Sequence, residues 1–403
     1  MDATTIGDRI RSLREFRDRT QEALAEQAGV SVDTIRKLER NRRLTARINT
    51  LRAIARALDV PLERLLGQPA VVTRDRAGDG GLIALRDAIQ DVGSLPGLRA
   101  ADDLEDPPDE TTWVTSVDEA VNAYWSGHYS DLSNTLPLLL RDGRAVARET
   151  PTERVWRQLA LAYQLAACFA TQAGHPDWAF AAVEKQLAAA RKASDPLMEG
   201  MGVSTLSWVL LRQGRWEQAR AVAERKADSL EPSIRRAAPE QYAVYGNLLI
   251  SAATPAARGG NREGALELLN LAESAATRSG PVRMYGSAFS VTDVRTQKVN
   301  VALAGQDNEP AEALRLSARV DVEAITRPIH AASHRVDVSQ ARYQTGDSDG
   351  ALKTLLEIEA EQPEWIRLQT LAAATVREML ETERRKNTPL RSLAARLGVD
   401  PAH

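Results

Sequence analysis

Residues 20–39 read T-Q-E-A-L-A-E-Q-A-G-V-S-V-D-T-I-R-K-L-E, two short helical segments around a glycine. Thr20 precedes the first segment as an N-cap, and Leu24, Ala25 and Ala28 fall on one face of it at helical spacing. Gly29 stands where a tight turn needs a left-handed residue. Ser31 caps the second segment, Val32–Arg40, whose Ile35 and Leu38 point inward. Val32, Asp33, Arg36, Lys37 and Arg40 are left on the outer face.

Working outward, Ile6, Ile10 and Leu13 recur at i, i+4, i+7 and predict a helix over Ile6–Arg19. Leu51, Ile54, Ala55 and Leu58 predict another over Asn49–Leu58, and Pro61 opens a fifth that ends at Leu65 and Leu66. Residues 1–67 hold 14 Lys+Arg against 10 Asp+Glu, while the rest of the chain holds 38 against 45. Between residues 36 and 56 there are eight basic side chains and one acid, Glu39. A basic head on an acidic body suits a head that meets phosphates.

The pieces L-R-E-F-R, T-Q-E-A-L-A-E-Q-A-G-V-S, T-I-R-K-L-E-R and L-R-A-I-A-R-A-L-D-V, in register over Ile6–Leu66, resemble the helix-turn-helix domain of phage repressors and xenobiotic-response-element regulators. The resemblance implies that the segment from Val32 lies in the major groove of a double-stranded DNA operator. Val32, Asp33 and Lys37 would then read bases with Arg36 beside them, and Ser31 and Thr34 would lie in the contacting turn. Gln21 would bond a phosphate, and Arg40, Arg42, Arg43 and Arg47 would hold the backbone. It also implies a structural role for Glu39, paired with Arg14 on the first helix. Asn41 stands where that family usually has glycine, although asparagine tolerates the left-handed conformation. A head with a merely solvated arginine face remains the alternative.

Residues 68–116 are rich in Pro, Gly and acid, as in D-D-L-E-D-P-P-D-E, and read as a linker with one short helix, Leu82–Val92. The body, 117–403, repeats. Gly127, Gly174, Gly214, Gly260, Gly305 and Gly346 are 47, 40, 46, 45 and 41 residues apart. Each sits between apolar helical stretches. Five residues on stand Leu132, Ala179, Ala219, Ala265 and Ala351, and Ala311 follows Gly305 with one insertion. That is the pattern of a helix-turn-helix solenoid, in which glycine ends one helix and a small residue lets the next pack closely. The units resemble tetratricopeptide repeats. The expected fold class is therefore all-α: a five-helix DNA-binding head, a linker and a tetratricopeptide-like α-solenoid.

With Y-G-S-A-F-S-V-T-D-V-R-T-Q-K-V-N-V-A-L-A at 285–304, the whole chain resembles actinobacterial regulators that join such a head to such a body. A more distant resemblance is to pheromone-sensing regulators of Gram-positive bacteria. It implies a ligand in the concave face, a peptide or small-molecule effector; paired half-sites need two heads, so a homodimer is expected. Polar residues on the first helix of each repeat are the candidate ligand contacts: Arg157, Gln164, Tyr242, Asn247, Asp293, Gln297, Asn300 and Arg335.

The sequence offers little for catalysis. Cys168, the single cysteine, lies in the apolar run L-A-A-C-F-A, so an internal disulfide and a cysteine metal cluster are excluded. His330 and His334 are spaced i, i+4 without an accompanying carboxylate, and G-G-N-R-E-G at 259–264 follows no strand. No cofactor, metal or enzymatic role is expected, and the absence of an apolar leader or span points to the cytoplasm. The competing reading is a protein-binding solenoid scaffold with a vestigial or antidote-like head.

Overall fold

The computed structural model describes residues 5–17, 19–42, 46, 48–60, 65, 78–91, 108–233, 236–305, 308–382 and 387–399. In the head, α1 (Ile6–Phe16), α2 (Gln21–Ala28), α3 (Val32–Glu39) and α4 (Ile48–Ala57) surround a core of Ile10, Leu24, Ala28, Ile35, Leu38, Leu51, Ile54 and Leu58. Thr5, Thr20 and Ser31 each accept a hydrogen bond from a backbone N–H of the helix they cap. Gly29 ends α2 with φ 64°. The expected fifth helix of the head lies outside the described residues, apart from Leu65, which is buried in the same core.

The body follows as α5 (Gly78–Ile89) and six antiparallel pairs: α6 (Glu110–Ser126) with α7 (Tyr129–Glu149), α8 (Glu153–Gln172) with α9 (Pro176–Lys192), α10 (Pro196–Arg212) with α11 (Trp216–Ser229), α12 (Pro239–Arg258) with α13 (Arg262–Ser279), α14 (Val291–Leu303) with α15 (Pro310–Ser317), and α16 (Pro328–Gln344) with α17 (Ser348–Glu361). Three further helices close the chain, α18 (Pro363–Arg367), α19 (Thr370–Thr382) and α20 (Thr388–Arg396). All six repeat glycines occupy positive φ, from 79° at Gly214 to 95° at Gly346. Five of the six partner positions are buried: Leu132, Ala179, Ala219, Ala265 and Ala351.

Two expectations need correction. Ala311 is exposed, and the small residue buried in its pair is Ala313, two positions on. The reason is local: α15 starts only at Pro310, so its inward stripe begins later than the glycine offset suggests. Second, the helix placed in the linker is part of the body. Leu82, Leu85 and Ile89 of α5 are buried in the main core, α5 packs on α7, and α6 starts at Glu110 with Trp113 fully enclosed. The all-α class holds, with one addition: an antiparallel hairpin of β1 (Val282–Met284) and β2 (Ser287–Phe289) is inserted in the array. Its two-residue turn, Tyr285–Gly286, has φ of 45° and 66°, the left-handed pair that matches strand twist in a tight hairpin.

The array curls until its ends meet. α6 packs on α16, α18 packs on α7, and the backbone N–H of Ser130 donates to Glu364 at 2.7 Å. One core therefore runs from Trp113 and Leu159 through Ile329 to Trp365 and Val376. The head docks on this body through α4: Leu371 and Ala374 of α19 complete the head's core, and the Arg56 guanidinium lies 5.9 Å from the Trp216 ring centroid.

His334 is buried inside α16, beside the Ser317 hydroxyl at 3.2 Å. Burial pushes its pKa down to about 4. A histidine held neutral in this way stabilises the fold fully above the unfolded value of about 6.5 and loses that contribution as pH falls toward 4. Urea unfolding should show stability declining by up to about 1.4 kcal/mol per pH unit within that window. His334→Gln should flatten the dependence; an unchanged slope would count against this burial.

Candidate nucleic-acid interface and the groove of the body

The outer face of α3 is fixed by one buried carboxylate. Glu39, at the end of α3, has no exposed surface. Arg14 of α1 forks onto it, with Nε donating to Oε1 at 2.7 Å and Nη2 to Oε2 at 2.9 Å. Gln21, at the first turn of α2, donates from Nε2 to Oε2 at 2.7 Å. Arg11 donates to the Glu39 backbone carbonyl. Three helices are thus tied at one point, and the hydrogen bonds to Glu39 raise the Arg14 pKa above the usual arginine value. Gly7 permits the close crossing of α1 over the end of α3, because a Cβ there would sit on the Leu38 carbonyl. Asn41 adopts φ 54°, and its side-chain amide donates to Asp8 at 3.2 Å.

Held this way, α3 exposes Asp33, Arg36, Lys37 and the following Arg40 and Arg42 to solvent. Lys37 pairs with Asp33 at 2.7 Å, and Arg36 with Glu22 of α2 at 2.6 Å. Both pairs are about half exposed and screened by solvent, so phosphates or base edges compete with them readily. Two of the sequence-predicted contacts are placed differently. Val32 is half-buried against the head core, leaving only part of its side chain outward, because it sits on the edge of the stripe formed by Ile35 and Leu38. Gln21 is oriented by Glu39, so in this structure its amide N–H is engaged within the head. Ser31 and Thr34 share a hydroxyl–hydroxyl bond of 2.8 Å at the start of α3. Arg43 and Arg47 lie outside the described residues.

The eight polar residues expected to line one ligand groove do not converge. Arg335 forks onto Glu357 and Glu361, bracing α16 against α17. Asn247 donates to the Ala243 carbonyl of its own helix, Tyr242 is buried, and Thr254 donates to Gln297. Asn300 donates to Asp337 beside a cavity of about 140 Å³ at the junction of head and body, between Ala55, Arg212, Trp216 and Arg258. Asp293 faces His330 at 3.7 Å; burial pushes its carboxyl up, but His330, Ser290 and Arg327 together outweigh burial and hold it below the usual carboxylate value. Gln164 and Arg157 do share a neighbourhood, the tip of the hairpin: Gln164 bonds the Tyr285 carbonyl, and Arg157 donates to Asp195, which accepts from the Tyr285 hydroxyl.

Three residues around that tip were not singled out by the sequence: Trp125, Asp195 and Arg327. Trp125 Nε1 donates to the Gly286 carbonyl at 2.7 Å, and Arg327 Nη1 donates to the same oxygen at 3.0 Å. Gln164 Nε2 donates to the Tyr285 carbonyl at 3.0 Å, and the Tyr285 hydroxyl donates to Asp195 at 3.2 Å. The Arg327 guanidinium also stacks 4.0 Å from the Trp125 ring centroid, and burial pushes its pKa down to about 10. Asp195 and Arg327 are helix-start residues followed by proline, an ordinary N-terminal signature that hides a second use. His330 and His334 point to different surroundings, and among the described residues no cluster of three or more potential ligands could hold a metal ion.

Comparison with known proteins bears on the head first. Residues 10–65 match the helix-turn-helix family model, so this part of the chain is a helix-turn-helix domain. The immunity repressor protein of Bacillus phage phi105 is 33% identical over 73 residues, covering 18% of this chain and 50% of the repressor. The chain thus spans about half the length of the curated relative it matches. The solved structure of Bacillus thuringiensis PlcR in complex with the peptide PapR7 and DNA aligns with 86% of this chain and 100% of its own, at 12% identity and a TM-score of 0.38. Among the described residues no helix is long and apolar enough to cross a membrane.

Removing Glu39 tests the clamp. Glu39→Ala leaves Arg14 and Gln21 without their shared acceptor, and breaking such a buried pair costs about 3–5 kcal/mol. Thermal melting followed by circular dichroism should show the head unfolding well before the body; a melt like that of the wild type would mean the clamp does not hold α3.

Proposed function

We propose that this protein is a sequence-specific DNA-binding transcriptional regulator, acting in the cytoplasm as a homodimer. Its helical-repeat body provides dimerisation and senses a peptide or small-molecule effector. The observation that carries the reading is the geometry of α3. Its buried stripe and Glu39 clamp fix its axis, while Asp33, Arg36 and Lys37, with Arg40 and Arg42 behind them, stand clear of both head core and body. The body docks on α4 through α19, leaving those α3 side chains open.

Each side chain has a chemical task. Arg36 and Lys37 donate to guanine O6 and N7, and Asp33 accepts from cytosine N4. The exposed methyl edge of Val32 meets a thymine methyl. Arg40 and Arg42, with Arg43 and Arg47 nearby in sequence, neutralise phosphates and release counterions. Gln21, preset by Glu39, and the hydroxyls of Ser31 and Thr34 bond the sugar-phosphate backbone at helix N-termini. Two heads in a dimer then read half-sites a helical turn or a multiple of it apart.

The direct test is a gel-shift titration on a site selected from random DNA by the wild-type protein. The double variant Arg36→Ala, Lys37→Ala should bind at least about tenfold more weakly, each base contact being worth about 1–3 kcal/mol. Unchanged affinity for the selected site would rule out this face as the reader.

A further inference from the structure

The hairpin raises a question that neither the repeat array nor the head answers: why an all-α body carries an eight-residue β-hairpin whose tip bonds helices far apart in sequence. Two three-residue strands are marginal by themselves. The base of this hairpin is apolar and fixed. Phe289 is fully buried against Gly246 of α12, where a Cβ would lie 2.0 Å from the ring, and Met284 is buried beside it. The tip is different. Tyr285 and Gly286 are only half-buried, and their recorded hydrogen bonds join them to four separate helix regions.

The chemistry of those bonds is selective. Trp125, Gln164 and Arg327 address two consecutive backbone carbonyls, groups that any peptide presents. Asp195 accepts from a phenolic hydroxyl. Leu161 closes over the second turn position, where a Cβ would come within 2.6 Å, so the site takes glycine there. Gln164 is itself oriented by Gln186 Nε2 at 2.9 Å, and the Oε1 of that fully buried Gln186 has no partner among the described residues. A cavity of about 280 Å³ flanks the hairpin, bordered by Arg283, Phe289, Asp293, Ile325 and Arg327.

We propose that Trp125, Gln164, Asp195 and Arg327 form a binding site for a tight turn of polypeptide bearing a Tyr-Gly pair, which the tip Tyr285–Gly286 occupies as an internal stand-in and which an effector peptide enters by exchange. The proposal rests on reading the body as a sensor and gives that sensor its site and ligand class. Exchange is balanced in its chemistry, because the donors that release the two tip carbonyls receive two equivalent carbonyls. Tyr285 also leaves a left-handed conformation unfavourable for a residue with a Cβ. Phe289 stays seated against Gly246 throughout, so residues 284–288 unpair and swing while the base of the hairpin remains tethered to α12.

The site also lies where the array closes. Trp125 belongs to the first pair and Arg327 caps the first helix of the sixth, so a ligand that replaces the tip bridges the same two ends. An incoming peptide that holds those ends at a different spacing changes the curl that supports α19 and, through it, α4 of the head.

The experiment uses the full chain and a fluorescein-labelled synthetic peptide of residues 281–290, P-V-R-M-Y-G-S-A-F-S, followed by anisotropy. Gly286→Val clashes with Leu161 and disfavours the left-handed turn, which expels the tip. It should bind the peptide about tenfold or more tighter than the wild type, as removal of an internal competitor requires. Adding Gln164→Leu to that chain should return binding to the wild-type level. A folded Gly286→Val protein that binds no tighter than wild type overturns the proposal. Should that variant fail to fold, hydrogen exchange on the wild type decides instead. Backbone amides of 284–288 should open faster than those of α13 and α14, and equal protection overturns the exchange. Gel shifts on the same preparations separate the outcomes: DNA binding without peptide binding strikes this proposal alone, whereas loss of DNA binding by the wild type strikes the regulator reading.

Discussion

A left-handed residue at the end of a helix is the constraint on which both halves of this molecule depend. Gly29 reverses the chain between α2 and α3 with φ 64°, and six body glycines do the same between paired helices with φ of 79–95°. Only glycine enters that region without steric cost, so each turn is short and of one hand. In the head the turn sets α3 across α2. In the body the repeated hand gives successive pairs a common curvature, and the curvature brings the sixth pair against the first. The cradle around Tyr285–Gly286 exists because that curl closes.

How much of this was legible follows from the range of each interaction. The glycines, the caps Thr20 and Ser31, and the buried stripe Leu24, Ala25, Ala28, Ile35 and Leu38 act within one or two turns, and sequence spacing exposes them. The glycine spacing points to Ala311 rather than Ala313 because α15 begins at Pro310, later after its glycine than the second helix of any other pair. The packed role of α5 was hidden by the Gly- and acid-rich sequence around it, although Leu82, Leu85 and Ile89 carry the apolar spacing of a core helix. The hairpin was illegible for a sharper reason. Tyr-Gly is not a preferred pair for this turn, three-residue strands show no alternation, and the bonds that hold the tip reach residues 41 to 161 positions away. The polar residues on the first helices of the repeats have partners that spacing does not reveal: Arg335 reaches the next helix, Asn247 bonds within its own and Gln164 meets the hairpin tip.

Head and body are joined by packing, which bears on how a signal would travel. Leu371 and Ala374 enter the head's core from α19, Arg56 reaches Trp216, and a polar cavity of about 140 Å³ remains between them. A body whose ends shift relative to one another moves α19 and carries α4 with it. An effector biases DNA recognition only to the extent that it binds one such arrangement better than the other. The Glu39 clamp ties α3 to α1 and α2 within the head, so under the proposed function an effector would act on the placement of whole heads.

The central claim is that α3 reads DNA as part of a dimer. Hydroxyl-radical footprinting of the full-length protein on a DNA site that it selects itself tests this most directly. The account predicts two protected stretches of similar sequence on one face of the duplex, separated by about one helical turn or a multiple of it. A single protected stretch, or uniform cleavage at protein concentrations that retard the DNA, would contradict it.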